Sequence, residues 1–316
     1  MPSPDGLFLG VDGGGTKTCF VLIKDGVEVA RHVEPSGYHL QVGLDGLAAT
    51  LTAGVAAVLA TARSGADDVA HAFFGLPAYG EDSRVTAQLD AMPGAVLGHH
   101  RFTVGNDMVC GWAGSLACQD GISITAGTGS IGYGERQGRA ARSGGWGELF
   151  SDEGSAYWVA VRGLNLFSRM SDGRRPKGPL HAILRDRFQL ADDLDLSGFV
   201  LSDLAASRDK VAALSATVSE AAAAGDARAA AIFAQAAGEL AEIAEAIRVP
   251  LGFTGDETVP LSYSGGVFRA GALVLEPFEA ALKAAYAGYR LQEPQYDPGF
   301  GAALYAQKQA TGSSRN

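Results

Sequence analysis

The sequence predicts an α/β fold of two similar lobes, each a mixed β-sheet flanked by helices. Three observations lead there. First, the apolar run Leu7–Val11 ends in Asp12, three glycines and hydroxyl residues, and a second apolar run, Cys19–Lys24, follows; this reads as strand, tight turn, strand. Second, the same order restarts at Gly121–Ala126, Gly127-Thr128-Gly129 and Ser130–Glu135, with Gly127 lying 114 positions after Gly13. Such a restart marks a duplicated unit. Third, strand and helix signals alternate after the first start. Two lobes whose glycine turns face one another would clamp a polyphosphate.

The elements follow in order. Leu7–Val11, Cys19–Lys24 and Val27–His32 read as strands, with Asp25-Gly26 as a hairpin turn. A helix is expected over about 44–63, because Leu47, Leu51, Val55, Val58 and Leu59 repeat at helical spacing. Next come a strand at Val69–Gly75, a helix at Glu81–Met92, a short strand at Arg101–Val104 and a helix at Met108–Cys118. After the restart, Gln137-Gly138 is a turn, and the chain from Ser155 to about Val249 is alanine-rich and mainly helical. Val259–Ser264 is a strand, Ala270–Ala287 a helix, and Phe300–Gln309 a last helix before the polar, fraying tail Thr311–Asn316. The expected domains are an N-terminal lobe over 1–118, a C-terminal lobe over 119–293 and a helix over 294–316 returning to the first lobe.

Composition narrows the partners. The 316 residues are 47% hydrophobic and 19% charged, which suits packed cores rather than disorder. A net charge of −10 disfavours nucleic acid and anionic membranes and favours a small molecule. Cys19, Cys110 and Cys118 form no metal-ligand spacing and no disulfide framework. Met1–Gly6 lacks the basic and apolar regions of a signal peptide, so a cytoplasmic location is the default expectation. The uncharged run Gly46–Ala62 is read as a packed helix rather than a membrane span.

Glycine turns that expose backbone N–H groups can wrap phosphate. Gly13, Gly14, Gly15, Thr16 and Lys17 form one such turn; Gly127, Thr128 and Gly129 form another. The spacing matches neither G-x-x-x-x-G-K-[ST] nor a helix-opening G-x-G-x-x-G, so a phosphate hairpin is expected. Asp12, at the mouth of the first turn, suits a hydrated Mg²⁺. Asn106-Asp107 follows a strand; Asp107 is either a general base for a hydroxyl nucleophile or a helix N-cap. Gly144-Gly145-Trp146, with Asp152 just beyond, offers an aromatic face and a carboxylate, although Trp146 alone would more often be core and Asp152 a loop or cap residue. Gly265-Gly266 is a further turn. Donors, a cation and a carboxylate by the nucleophile are the parts that phosphoryl transfer needs.

With these motifs the chain resembles the BadF/BadG/BcrA/BcrD ATPase family, and within it the N-acetylglucosamine and glucosamine kinases of the actin/hexokinase/heat-shock-chaperone superfamily. The resemblance runs from Leu7 to about Gln307. It rests on Gly10–Thr18, Asn106-Asp107, Ala126–Ser130, Gly144–Gly147, Asp152–Trp158 and Ser264–Phe268. It implies two ribonuclease-H-like lobes with an interlobe cleft for ATP, whose closure excludes water. It further implies Asp12 on the Mg²⁺ side, with Thr16 and Thr128 on phosphate and Gly265-Gly266 by adenosine. Asp107 becomes the base facing a sugar 6-hydroxyl, and Asn106, Gly144, Gly145, Trp146 and Asp152 lie at the amino sugar. Dimers are common in the family, which leaves a homodimer open.

One departure concerns the sugar. The amino-sugar kinases place Asn after a Gly-Pro-small run, whereas Glu34-Pro35-Ser36-Gly37-Tyr38-His39 puts Gly37 there. Tyr38 or His39 would have to compensate, or the sugar differs. Two alternatives share the scaffold. An ATPase activator of an acyl-CoA dehydratase would need cluster-binding cysteines, which Cys19, Cys110 and Cys118 do not suggest. A non-catalytic sugar-sensing regulator would need an N-terminal helix-turn-helix, for which a strand beginning at Leu7 leaves no room. A chaperone or filament switch would call for insertions that are not visible.

Overall fold

A computed structural model describes residues 6–204 and 207–312, so the expected fraying of the tail lies, from residue 313 onward, outside the described residues. The chain divides into two compact units. One comprises residues through Asp120 together with those from Glu293; the other spans Gly121–Gln292.

In the first unit, β1 (Leu7–Asp12), β2 (Lys17–Lys24) and β3 (Val27–Pro35) form an antiparallel meander. Asp25 and Gly26 both take positive φ (53° and 74°), the backbone that a two-residue hairpin of matching twist requires. Then follow α1 (His39–Thr61), β4 (Val69–Leu76), α2 (Ser83–Leu97), β5 (Phe102–Asn106) and α3 (Met108–Leu116). The sheet order is β3-β2-β1-β4-β5, with β4 and β5 parallel to β1. On one face, Leu47, Leu51, Val55, Val58 and Leu59 of α1 are buried with Leu9, Val11, Phe20 and Leu22. α1 is the one described helix long and apolar enough to cross a membrane, and its apolar stripe is spent on this core. A closing helix, α11 (Pro298–Gly312), packs on β1, β4 and α3. A Cβ at Gly10 would run into the backbone of Ala302 and Ala303, so the bare α-carbon sets how closely α11 lies on β1. Arg31 of β3 makes a bidentate pair with Asp297 (3.0 and 2.8 Å) just ahead of α11.

The second unit repeats the plan. β6 (Gly121–Ala126), β7 (Ser130–Arg136) and β8 (Arg139–Gly144) form the meander, turning at Gln137 and Gly138 with the same pair of positive φ angles. Six helices follow: α4 (Ala156–Ser171), α5 (Pro179–Phe188), α6 (Asp195–Phe199), α7 (Arg208–Ala213), α8 (Ser215–Ala223) and α9 (Ala227–Leu251). β9 (Val259–Ser264), α10 (Ala272–Ala285) and β10 (Tyr289–Gln292) complete the unit. The order β8-β7-β6-β9-β10 matches that of the first sheet strand for strand. The long α9 buries Phe233, Leu240, Ile243 and Ile247 in the core that also holds Ile122, Ile124 and Leu261.

The structure departs from the sequence reading at several places. The first helix starts at His39, with a break at Gly43 (φ 74°), and stops at Thr61 before Arg63 takes φ 53°. α2 continues past Pro93, whose ring is buried, to Leu97. β8 and β10 were not expected: β8 carries no buried side chain and β10 is four residues long, so neither gives an apolar alternation.

Gly10→Ala is expected to lower the unfolding free energy by about 1–3 kcal/mol in urea melts. Gly111→Ala in α3, where a Cβ meets nothing within 4 Å, should be neutral or stabilising.

Candidate active site

In the first unit the parallel strands β1, β4 and β5 end side by side. Asp12 pairs with Gly75, and Gly75 with Gly105. The C-terminal ends of such strands are where α/β sheets bind ligands. The glycine turn leaves β1 at this level, and Gly13 N–H donates to Gly75 O at 2.8 Å. Gly14 sits where a Cβ would lie 2.9 Å from Lys17 O, while Gly15, Thr16 and Lys17 are exposed. The turn therefore presents accessible donors to solvent. Ser36 donates to Gly14 O at 3.3 Å, which lays the 36–41 loop along this turn.

Asp107 stands at the N-cap of α3 but makes no side-chain capping bond. Asn106 does that work instead. Its Oδ1 accepts from Met108 N–H, its Nδ2 donates to Tyr79 O (both 3.1 Å), and the residue is buried. Of the expected pair, Asn106 thus has both ends of its amide committed to backbone, and Asp107 is the half-exposed member. α3 lies close to β4 because Gly75 has no side chain: a Cβ there would collide with Cys110 Sγ and lie 3.3 Å from Asp107 Cα.

Two carboxylates result, close enough to feel one another. Burial pushes the Asp12 pKa up to about 7, the Asp107 charge adds to the rise, and a hydrogen bond from the Cys110 thiol opposes it. Cys110 is itself driven well above its usual range, first by burial and then by the Asp12 and Asp107 charges, so it stays a thiol and a donor. Nothing in the sequence pointed to Gly75 or Cys110. No group of three or more His, Cys, Asp or Glu side chains among the described residues is placed to hold a metal. A single carboxylate whose ionisation is held back by burial, and which a cation would favour, suits instead a Mg²⁺ that arrives with a phosphate ligand and keeps its waters.

In the second unit the turn at Gly127-Thr128-Gly129 is closed by Gly127 N–H donating to Gly129 O (2.9 Å). The first turn of α4 holds it from behind. Ala156 N–H donates to Gly127 O (2.8 Å), Tyr157 N–H to Thr128 O (3.4 Å), and Ser130 Oγ to Glu153 O (2.6 Å). Asp152, with φ 59°, is only 2% exposed. Its carboxylate accepts from the Ser130 and Gly147 backbone N–H groups and pairs with Arg208; burial raises its pKa and Arg208 opposes the rise. This is neither a loose loop residue nor a cap. Trp146 is 71% exposed, so it is not a core aromatic, and it follows Gly144 and Gly145, both at positive φ.

Gly265 lies against the end of β6, where a Cβ would strike the Ala126 carbonyl. A cavity of about 660 Å³ brings Gly127, Thr128 and Gly266 together with Arg269, Asp209 and the small residues Ala212, Ala213 and Ala216. Sequence reasoning did not single out Arg208 or Asp209, which lie within the mainly helical stretch with no motif around them.

At Gly37, a Cβ would lie 2.6 Å from Thr18 Oγ1, and Thr18 is fully buried and donates to Pro35 O at 3.1 Å. The position therefore accepts no larger residue without displacing Thr18. His39 is buried, with Nδ1 lacking a hydrogen-bond partner.

The chain is similar to known proteins along most of its length. The sequence signature of the BadF/BadG/BcrA/BcrD ATPase family covers residues 9–306. The chain is 30% identical to the N-acetyl-D-glucosamine kinase of Dictyostelium discoideum over 95% of its own length and 97% of that protein. It is 30% identical to the N-acetylmuramic acid/N-acetylglucosamine kinase of Clostridium acetobutylicum over 66% of this chain and 68% of that one. A crystal structure from Chromobacterium violaceum, of a candidate N-acetylglucosamine kinase, aligns with TM-score 0.69 at 26% identity, covering 96% of this chain and 100% of that one.

Asp12 binds its proton more tightly folded than unfolded, so between pH 3.8 and about 7 its contribution makes the protein less stable as pH rises. In metal-free buffer, Asp12→Asn is expected to raise Tm at pH 8 by about 3 °C or more, and by less at pH 4. A thermal melt series across pH checks the sign.

Proposed function

The chain belongs to the BadF/BadG/BcrA/BcrD ATPase family, and on that premise we propose that it is an ATP-dependent amino-sugar kinase. The γ-phosphate of ATP passes to the 6-hydroxyl of N-acetylglucosamine or glucosamine, with Asp107 as general base. The observation that carries this reading is the pair Asp12 and Asp107 at the ends of β1 and β5, with Asp107 not engaged as a cap. The full-length likeness to the Dictyostelium kinase supports the substrate class.

On this reading, Asp107 accepts a hydrogen bond from the acceptor hydroxyl. Its carboxylate takes the proton as the oxygen–phosphorus bond forms and the bond from the γ-phosphorus to the β–γ bridging oxygen breaks, leaving ADP. A loose transition state places most of the proton movement late, so a carboxylate is basic enough. Gly14, Gly15, Thr16 and Lys17 donate to phosphate oxygens, as do the N–H groups of Thr128 and Gly129, while Gly13 and Gly127, whose own N–H groups are tied to Gly75 O and Gly129 O, shape the two turns. Asp12 would hold Mg²⁺, which would neutralise charge on the phosphates. The nucleoside occupies the cavity beside Thr128, Gly265 and Gly266. Trp146 offers its exposed face to the sugar ring, beside Gly144 and Gly145. Asp152 serves the sugar side from its buried position.

The test is ADP release measured across a panel of amino sugars, with and without Mg²⁺. Sugar- and Mg²⁺-dependent release supports the reading; release indifferent to every sugar overturns it. Asp107→Asn is expected to lower kcat by roughly 10²–10⁴ while ADP still binds; undiminished turnover removes Asp107 from the role of base. Trp146→Ala should raise the KM for the sugar several-fold and leave that for ATP in place; movement of the ATP KM alone refutes its place at the sugar.

A further inference from the structure

Arg208 and Asp209 are consecutive residues at the start of α7, and each reaches a different residue of the second site group. The Arg208 guanidinium pairs with Asp152 through Nη2 and approaches Glu148 Oε2 through Nε at 3.3 Å. Its Nη2 lies against the glycine turn: a Cβ at Gly129 would collide with it and lie 2.7 Å from Asp152 Oδ2. Asp209 Oδ1 accepts from Thr128 Oγ1 at 2.8 Å and lines the cavity that holds Gly127 and Gly266.

The charges decide what such a cluster can do. Around Arg208 the carboxylates of Glu148 and Asp152 outnumber the guanidinium, so that side does not attract phosphate by charge, whereas Asp209 shares its cavity with Arg269. The cluster suits a neutral, hydroxyl-bearing ligand on the Asp152 side, where carboxylates accept and the unused guanidinium N–H groups donate. Without Arg208, Asp152 would be a buried carboxylate beside Glu148 with only backbone donors, and it would shift or take up a proton. Asp209 takes the single hydrogen of the Thr128 hydroxyl and so leaves Oγ1 to accept from a hydroxyl or amino group of the nucleotide; without Asp209 that orientation is lost, since a hydroxyl rotates to suit its partner.

We propose that α7 is a two-pronged brace: Arg208 is a positioning residue for the acceptor sugar through Asp152, and Asp209 is a positioning residue for the nucleotide through Thr128. This rests on the kinase reading above. It goes beyond that reading in assigning the two substrates to adjacent residues of one short helix, so that the two effects separate by a single position in the chain.

Steady-state kinetics with both substrates varied test it, with thermal melts run alongside. Arg208→Gln is expected to raise the sugar KM about tenfold while changing the ATP KM less than twofold, and Arg208→Lys, which keeps the charge, recovers part of the loss. Asp209→Asn is expected to raise the ATP KM about fivefold with the sugar KM within twofold of wild type. A merely structural brace lowers Tm and moves both KM values together; that outcome, or no change in either, overturns the proposal. If the wild type phosphorylates no amino sugar, the kinase reading falls, and ADP binding by titration calorimetry judges the brace alone. Asp209→Asn must then weaken ADP binding about fivefold and Arg208→Gln less than twofold; equal effects overturn the brace.

Discussion

The hydrogen that stands in place of a side chain at Gly75 sets the geometry on which the first unit's chemistry depends. It lets α3 settle onto β4 until Cys110 fills the space that a Cβ would take. That contact fixes the start of α3, brings Asp107 within electrostatic reach of Asp12, and seats the Cys110 thiol at the end of β1, where it donates to Val11 O at 3.7 Å beside Asp12. Asn106 then secures the last turn of backbone before the helix, and so releases Asp107 from capping. Burial, with the Asp107 charge adding to it, holds back the ionisation of Asp12, which a cation would favour.

The second unit reaches a comparable precision by a different route. Its glycine turn is welded to the first turn of α4, whose otherwise unpaired N–H groups donate to the turn's own carbonyls. With the carbonyls of Gly127 and Thr128 tied back and Gly127 N–H closing onto Gly129 O, the backbone of the turn is held in one shape. Gly129 has the same role as Gly75: the absent Cβ is replaced by a neighbour's functional group, here the Asp152–Arg208 pair. In both units a glycine buys the close approach of chemistry to backbone.

The acidic balance of the chain bears on this arrangement. A surface of net charge −10 gives anionic ligands no general attraction. On the proposed reading, phosphate would be held by backbone N–H groups of the repeated turn, by Lys17 and by Mg²⁺ rather than by a broad basic patch.

The fold class was legible because both hairpins carry local signals: apolar runs of strand length, glycines between them, and Asp25-Gly26 or Gln137-Gly138 where both residues take positive φ. β8 and β10 were not legible, since an exposed edge and a four-residue strand leave no alternation to read. The α1 start was misread because Gly43 breaks the helix after one turn. Candidate residues could be named from motif chemistry, which is local: a carboxylate after a strand, a hydroxyl within a glycine turn. The sequence by itself determined which turns can expose donors and which side chains can ionise. Only the tertiary structure decided that the Asn106 side chain, and not that of Asp107, bonds the start of α3, that Asp12 is hard to ionise, and that Arg208 and Asp209 reach residues some 56 and 81 positions away. Those outcomes depend on burial and on contacts between distant segments, and neither has a signature in any short window of sequence.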